Sequence, residues 1–355
     1  MEEIFMSYEA TEAQLKSFQA QHEYLKTKLD LGKELLWLTQ EECKTAGPTI
    51  DETLELVKQA LIAHGKKAYE MPAKIGIHPY PDVFYHAMPA YVPDNLACGV
   101  KWIECYPRNP KEFNLPQTTG LLILNDITTG VPITVMDSAW LTAMRTPAVT
   151  ALAANALHPD ATTFGMFGCG IQGVAHVRYI VKTLKNLEKI YIYDVRDETM
   201  DQLIEEVKAE VTIPIIKVSS PEELVKQSEV MSSATVILKD TLKVVKKEWI
   251  GKGQTILPCD LNTFWDPEIC YMADKYILDS KEEHELFADM GYFPDGLAPV
   301  ACETGEILAG LHPGRTSKDE IIVCSNVGIS VSDVVMGQAI FSKALQEGIG
   351  RKLPL

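Results

Sequence analysis

Residues whose types and spacing could do chemistry fall into three groups along the 355-residue chain. The first is Gly168-Cys169-Gly170-Ile171-Gln172-Gly173, a G-x-G-x-x-G spacing. In such a turn Gly168 makes the bend, Gly170 lets backbone approach a pyrophosphate, and Gly173 lets the following helix pack close to the preceding strand. Phosphate then meets free N–H groups at the positive end of a helix dipole. By itself the spacing is common. Here it follows an apolar run from Ala161, precedes the helically periodic Val174–Leu187, and is succeeded by strand-like Lys189–Tyr193 ending at Asp194. An acid about 24 residues past the turn can accept hydrogen bonds from adenosine ribose hydroxyls, so the ensemble reads as a dinucleotide site.

The second group is cationic: Lys74, Lys101 and Arg145. Strand alternation sends either lysine inward or to solvent, and exposure is the usual outcome for lysine. If inward, each could hold a carboxylate, and a desolvated lysine could also move a proton. Arg145 stands before Thr146-Pro147, a good N-cap and first-turn pair that would open a helix of small residues. A guanidinium beside a helix N-terminus makes an anion site for pyrophosphate or carboxylate. A surface arginine or an internal ion pair is the plain alternative. The third group lies at strand ends, where ligands of open α/β sheets bind: Ser233, Ala234 and Thr235 after Glu229–Ser233, and Asp260 and Asn262 after Gln254–Pro258.

The elements that must position these groups change character along the chain. Residues 1–47 read as a helical extension, with Leu15, Phe18, Leu25, Leu29, Leu35 and Leu36 at near-helical spacing. A further helix follows Gly47-Pro48, with Asp51 as candidate N-cap, and stops by Gly65. Between Met71 and Met136, five strand-like runs (Ala73–Ile77, Phe84–Ala90, Ala97–Glu104, Gly120–Asn125 and Pro132–Asp137) imply an antiparallel sheet. From Ala161 onward strands and helices alternate, as in a parallel sheet. The tail from Ser325 begins with a glycine turn and continues as an amphipathic helix. The fold class is therefore α/β: a Rossmann-type parallel-sheet domain over 148–324, plus an α+β substrate domain with an antiparallel sheet over 48–147 and 325–355. His86, Tyr85, Trp265 and Phe293 are candidate pocket residues, although ordinary core positions suit them as well.

Composition excludes several classes. Lys+Arg of 33 against Asp+Glu of 49 gives a formal charge of −16, which disfavours nucleic acid and anionic membranes as partners. No basic-then-apolar leader and no apolar run of about 18 residues is found, so a cytosolic protein is expected. Eight cysteines without a C-x-x-C pair and eight scattered histidines suggest neither disulfides nor a metal site.

Taken together, the chain resembles the ornithine cyclodeaminase and mu-crystallin family, which also includes alanine dehydrogenases and ketimine reductases. The ordered residues that carry the resemblance are Met88-Pro-Ala-Tyr, Lys101, Gly130, Met136-Asp, Leu141-Thr-Ala-Met-Arg-Thr with Ala148-Val, Gly168-Cys-Gly-Ile-Gln, Gly310-Leu-His-Pro-Gly-Arg315, and Val327-Gly328 with Asp333. It implies a substrate domain completed by the C-terminal helix, a homodimer formed through the substrate domains, and bound NAD. It also places Lys74 where the family has a carboxylate-binding arginine, Lys101 at the lysine that reaches substrate, and Arg145 beside cofactor phosphates and substrate. Gln117 or Thr118 falls at a cofactor contact. Gly170, Ile171, Gln172 and Asp194 line the cofactor, and Val327 and Gly328 close over nicotinamide and substrate. The family's proton-shuttling aspartate falls on Asn262, which cannot shuttle a proton at neutral pH; Asp260, two residues away, could substitute.

Hydride transfer between an amino-acid Cα and nicotinamide needs a neutral amine and an anchored carboxylate. The expected roles are Lys74 and Arg145 on the carboxylate, Lys101 in proton transfer, and Asp260 or Asn262 at the nitrogen. Asp194 favours NAD over NADP, because it would repel a 2′-phosphate. Three readings follow: an NAD-dependent amino-acid dehydrogenase or imine reductase; a cyclodeaminase that eliminates ammonia with catalytic NAD; and a non-catalytic ligand-binding protein like mu-crystallin. The substrate side chain is not encoded legibly.

Overall fold

The computed structural model describes residues 9–80, 82–261 and 263–355. The chain divides into two units, Met1–Arg145 with Ile329–Leu355, and Thr146–Gly328.

In the first unit, strands β1 (Glu34–Leu38), β2 (Ile75–Ile77), β3 (Phe84–Val92), β4 (Ala97–Cys105), β5 (Thr118–Asn125) and β6 (Pro132–Asp137) join the C-terminal strand Arg351–Pro354 in one sheet. The order is C-terminal strand, β1, β6, β5, β4, β3, β2. All neighbours are antiparallel except β1 and β6, which run parallel. Leu35 and Leu36, expected on a helix, therefore lie in a strand. The run Leu35-Leu36-Trp37-Leu38 is apolar on both faces, and burying Leu35, Leu36 and Leu38 between two neighbouring strands overrides a helical spacing. Ahead of it the helix Glu12–Lys26 does form, with a Thr11 capping box. The helix Ile50–Gly65 is capped not by Asp51 but by Thr49, whose hydroxyl accepts from Glu52 N–H while Glu52 reaches back to Thr49 N–H.

Register decides which lysine face is buried. Met88, Lys101, Leu122 and Met136 lie opposite one another across β3, β4, β5 and β6. Period-two alternation puts this row on the face that the helix Ser330–Glu347 covers, packed on β3, β4 and β5. The approach is close: a Cβ on Gly337 would come 2.1 Å from Leu122 Cδ2. Lys101 is thereby carried inward and is 0% exposed.

The second unit holds β7 (Thr163–Phe167), β8 (Lys189–Tyr193), β9 (Ile215–Lys217), β10 (Val230–Ser233), β11 (Thr255–Pro258), β12 (Lys275–Leu278), β13 (Val300–Glu303) and β14 (Ile322–Ser325). They form a fully parallel sheet in the order β13, β12, β14, β11, β10, β7, β8, β9. The chain winds outward from β7 through β8 and β9, then resumes on its other side at β10. Such a reversal creates a crevice at the carboxyl ends of β7 and β10. Every residue of β10, β11 and β14 is buried, as parallel strands require.

The helix Ala139–Leu157 corrects the expected start at Thr146. It begins seven residues earlier, where Asp137 Oδ1 accepts from Trp140 N–H at 3.0 Å, and Pro147 sits inside it. The missing proline N–H leaves one rung out, and the buried stretch from Ala148 to Ala154 holds the helix through the gap. Arg145 consequently stands within a helix, and the anion site expected at a helix start beside it is not formed. Among the described residues no helix is long and apolar enough to cross a membrane.

Candidate functional site

In the first unit three elements bring charge to one buried point. Lys101 comes from β4, Arg145 from the helix Ala139–Leu157, and Asp333 from the first turn of Ser330–Glu347, where a helix dipole favours an acid. Lys101 Nζ lies 2.6 Å from Asp333 Oδ2, and Arg145 Nε donates to Asp333 Oδ1 at 3.0 Å. Lys101 also reaches Thr142 Oγ1 at 3.5 Å. Burial pushes the Lys101 ammonium down to about 7 against the upward pull of Asp333, with Arg145 and Lys74 adding to the fall. Burial would raise the Asp333 carboxyl, but Arg145 and Lys101 outweigh it and hold it below the usual range.

Lys74, just before β2, is 5% exposed, so it too points inward. His86, on the same sheet face as Lys101, stacks on Phe84 with ring centroids 4.2 Å apart. Its imidazole is pushed down to about 3 by burial and by the nearby Lys74, His78 and Lys101, and it is neutral at any physiological pH. Tyr85 occupies the opposite sheet face and stacks on Trp102, so the structure does not bring it to Lys101. Thr118 shares the Lys101 face but pairs with Cys105, four residues along the strand from the Lys101 partner Leu122, or roughly 13 Å away. Gln117 is exposed and donates to Cys105 Sγ.

In the second unit the three fingerprint glycines have separable jobs. Gly168 has φ +87 and donates its N–H to Tyr193 O at 2.9 Å. A Cβ on Gly173 would sit 2.1 Å from Gly168 O, so the helix Ile171–Thr183 can approach β7 only through glycine. A Cβ on Gly170 would meet nothing within 4 Å, which leaves an open cradle at a helix N-terminus with Ile171 80% exposed beside it. Asp194 closes the turn from below: Oδ2 accepts from Cys169 N–H at 2.9 Å and Oδ1 from Arg196 N–H at 3.0 Å. Beneath the turn, His176 Nδ1 lies 2.7 Å from Gln172 O and Nε2 lies 3.0 Å from Thr150 Oγ1.

Asp260 is 0% exposed. Its Oδ1 accepts from Ser233 Oγ at 2.6 Å, and its Oδ2 from Thr235 N–H at 3.1 Å and Thr235 Oγ1 at 2.5 Å. Burial raises its pKa despite these donors. Ser233 in turn accepts from Trp265 Nε1 at 2.7 Å. The carboxylate thus braces the ends of β10 and β11. Asn262 lies outside the described residues. Trp265 and Phe293 belong to apolar core clusters. At the end of β14, Gly328 N–H donates to the buried Asp279 Oδ2 at 2.6 Å, which fixes the Val327-Gly328 turn.

Sequence reasoning gave Asp333 and Asp279 no role. The signals available for Asp333 were its place among the residues that carry the family resemblance and its being the one charged residue of the run Val331–Met336; Asp279 had only its place at the end of a buried strand.

Residues 38–348 match the family described as ornithine cyclodeaminase/mu-crystallin. The nodulation efficiency protein NfeD of Rhizobium meliloti is 31% identical over 316 residues, covering 88% of this chain and 97% of that protein. Two solved structures share the fold. Delta(1)-pyrroline-2-carboxylate reductase of Thermococcus litoralis, in complex with NADH and L-proline, has a TM-score of 0.78 at 27% identity, covering 89% of this chain and 99% of that one. An archaeal alanine dehydrogenase dimer with bound NAD has a TM-score of 0.79 at 28% identity, covering 90% and 99%.

Proposed function

Because the chain belongs to the ornithine cyclodeaminase/mu-crystallin family, we propose that it is an NAD-dependent oxidoreductase, moving hydride between nicotinamide and the Cα of a small α-amino or imino acid. The observation that carries this reading is the buried cation pair of Lys101 and Arg145. Lysine and arginine are seldom buried unless paired; Asp333 pairs both, and one acid against two cations leaves an excess positive charge that a substrate carboxylate would balance. Arg145 and Lys74 hold the substrate carboxylate. A lysine with its pKa near 7 is poised to take a proton from an ammonium or return one to an imine at working pH.

The fingerprint turn suits a dinucleotide: the space over Gly170 admits pyrophosphate against free N–H groups at the start of the helix Ile171–Thr183. NAD, when bound, supplies the hydride acceptor. Asp194 is placed to accept from ribose hydroxyls and to disfavour a 2′-phosphate, hence NAD over NADP. Ser233, Ala234, Thr235, Val327 and Gly328 complete the cofactor contacts, while Asp260 braces the loop rather than moving a proton.

The chain also self-associates in this reading. Across the outer sheet face, Ile75, Ala87, Trp102 and Leu121 lie in one register row, with Ile75 71%, Trp102 39% and Leu121 40% exposed, an apolar face suited to a second copy.

The test is a panel of amino acids, and of keto acids with amines, assayed for NADH and ammonia in parallel. Amino-acid-dependent NADH formation, or NADH consumption with an imino acid, is the expected result. Ammonia release from a diamino acid without net NADH would instead make it a cyclodeaminase, and no turnover despite tight NADH binding would make it a binding protein.

A further inference from the structure

We propose that Asp333 is the positioning residue of the substrate half-site: it holds Lys101 and Arg145 so that one keeps an exchangeable proton and the other presents its free edge to the substrate carboxylate. The proposal rests on the amino- or imino-acid reading above, and its test separates the two.

Two cations brought together out of water repel one another strongly. Here each has taken one oxygen of the same carboxylate, Lys101 at 2.6 Å and Arg145 through Nε at 3.0 Å. The choice of Nε matters. A guanidinium has two edges that can grip a carboxylate, and an acid on the Nε side leaves the Nη1–Nη2 edge for another. Among the described residues no hydrogen bond is made by either Nη of Arg145, although the side chain is only 7% exposed. Asp333 therefore fixes the guanidinium by one edge and leaves the other aimed at a ligand.

The same carboxylate governs Lys101. The charged and titratable groups facing that ammonium are Asp333 from the C-terminal helix, Arg145 from the helix Ala139–Leu157, Lys74 from the segment before β2, and His86 from β3. Of these Asp333 alone is acidic. His86 is neutral, and Arg145 and Lys74 both favour proton loss from Lys101. Without the Asp333 charge, burial would discharge the lysine well below neutral pH, and it would have no proton to give.

The Cε resonance of Lys101, in lysine-labelled ligand-free protein and assigned with Lys101→Met, is titrated in the wild type, Asp333→Asn and Asp333→Glu. Steady-state constants for the amino or imino acid and for NADH are measured alongside. Expected are a wild-type midpoint near 7, a midpoint lower by about one unit or more in Asp333→Asn, and near wild-type titration in Asp333→Glu, which keeps the charge. Both variants should raise KM for the amino or imino acid about tenfold or more, with a smaller change in kcat and none in KM for NADH.

An unmoved Lys101 titration in Asp333→Asn, or a wild-type KM in Asp333→Glu, overturns the proposal. A merely structural carboxylate would lower Tm and leave the titration of the folded protein in place. Should Asp333→Asn fail to fold, Asp333→Glu decides: retained titration with raised KM supports the assignment, and unchanged KM refutes it. If the wild type itself turns over no amino or imino acid, the functional reading fails on that result, and the Lys101 titration still judges Asp333.

Discussion

Asp333 in the first unit and Asp260 in the second are both 0% exposed, yet their proton affinities move in opposite directions. Asp333 faces a lysine and an arginine and is held below the usual carboxylate range. Asp260 faces two hydroxyls and one backbone N–H and is raised. Desolvation is the largest influence on each, so the difference lies in whether the donors carry charge. Neutral donors satisfy a buried carboxylate's lone pairs without restoring the solvation its charge has lost; cations do both. The first arrangement makes a site whose charges can be exchanged with a ligand. The second makes a strut.

Removing a cation has the largest expected effect. Lys101→Met should lower kcat/KM for the amino or imino acid by about 10²–10⁴-fold, the usual contribution of a positioned acid or base, and abolish an ionisation near pH 7 in the kcat/KM profile. NADH affinity, read by fluorescence titration, should be unchanged. A variant retaining activity within a few-fold would show that the buried lysine is as structural as Asp260.

Asp333→Asn leaves Arg145 facing an amide and Lys101 without the charge that keeps it protonated, and should cost about 3–5 kcal/mol of unfolding free energy. Asp260→Asn replaces the carboxylate with a near-isosteric amide beside hydroxyls that can rotate to accept, so about 1 kcal/mol is expected. Equal losses in urea unfolding would break the distinction. Asp194 is a third case, bound by backbone N–H groups but with its side chain 12% exposed. Asp194→Ala should weaken NAD binding by about tenfold, one charge-assisted hydrogen bond, and improve relative use of NADP; unchanged preference by isothermal titration would remove it from cofactor selection.

The glycine turn was legible because its chemistry is local: Gly168, Gly170 and Gly173 act within six residues, and Asp194 follows one strand later. Elements bounded by turn residues were equally clear. Pro132–Asp137 and Lys189–Tyr193 run between the expected residues. What escaped depends on neighbours distant in sequence. Leu35 and Leu36 carry a spacing compatible with a helix, and only β6 and the C-terminal strand make them a strand. The short strand Val300–Glu303 has no alternation and exists because β12 lies beside it. Pro147 marks a helix start by local rules, but buried packing on either side carried the helix through it. The pairing of Arg145 with Asp333 spans 188 residues, and no spacing rule connects them.

The smallest effect expected is the pH dependence of the two aspartate variants, and its sign discriminates most cleanly. An unfolded aspartate titrates near 4. Asp333, lowered in the folded protein, contributes stability that is present above that value and lost as pH falls through its folded pKa. The advantage of the wild type over Asp333→Asn should therefore grow as pH rises from acid toward 4, and then level off. Asp260, raised in the folded protein, behaves oppositely: its extra stability is present below 4 and lost as pH rises through its folded pKa. Asparagine does not titrate, so the wild-type advantage over Asp260→Asn should shrink as pH climbs above 4. Other groups are common to each pair and cancel in the difference, except Lys101, whose lower midpoint in Asp333→Asn makes the wild-type advantage decline again as pH approaches 7, so the slope is read at and below about pH 4. Urea unfolding of the three proteins across this range reads both slopes. Parallel slopes would mean that charged and neutral donors stabilise a buried carboxylate equally well here, and the separation of site from strut would then rest on Lys101 alone.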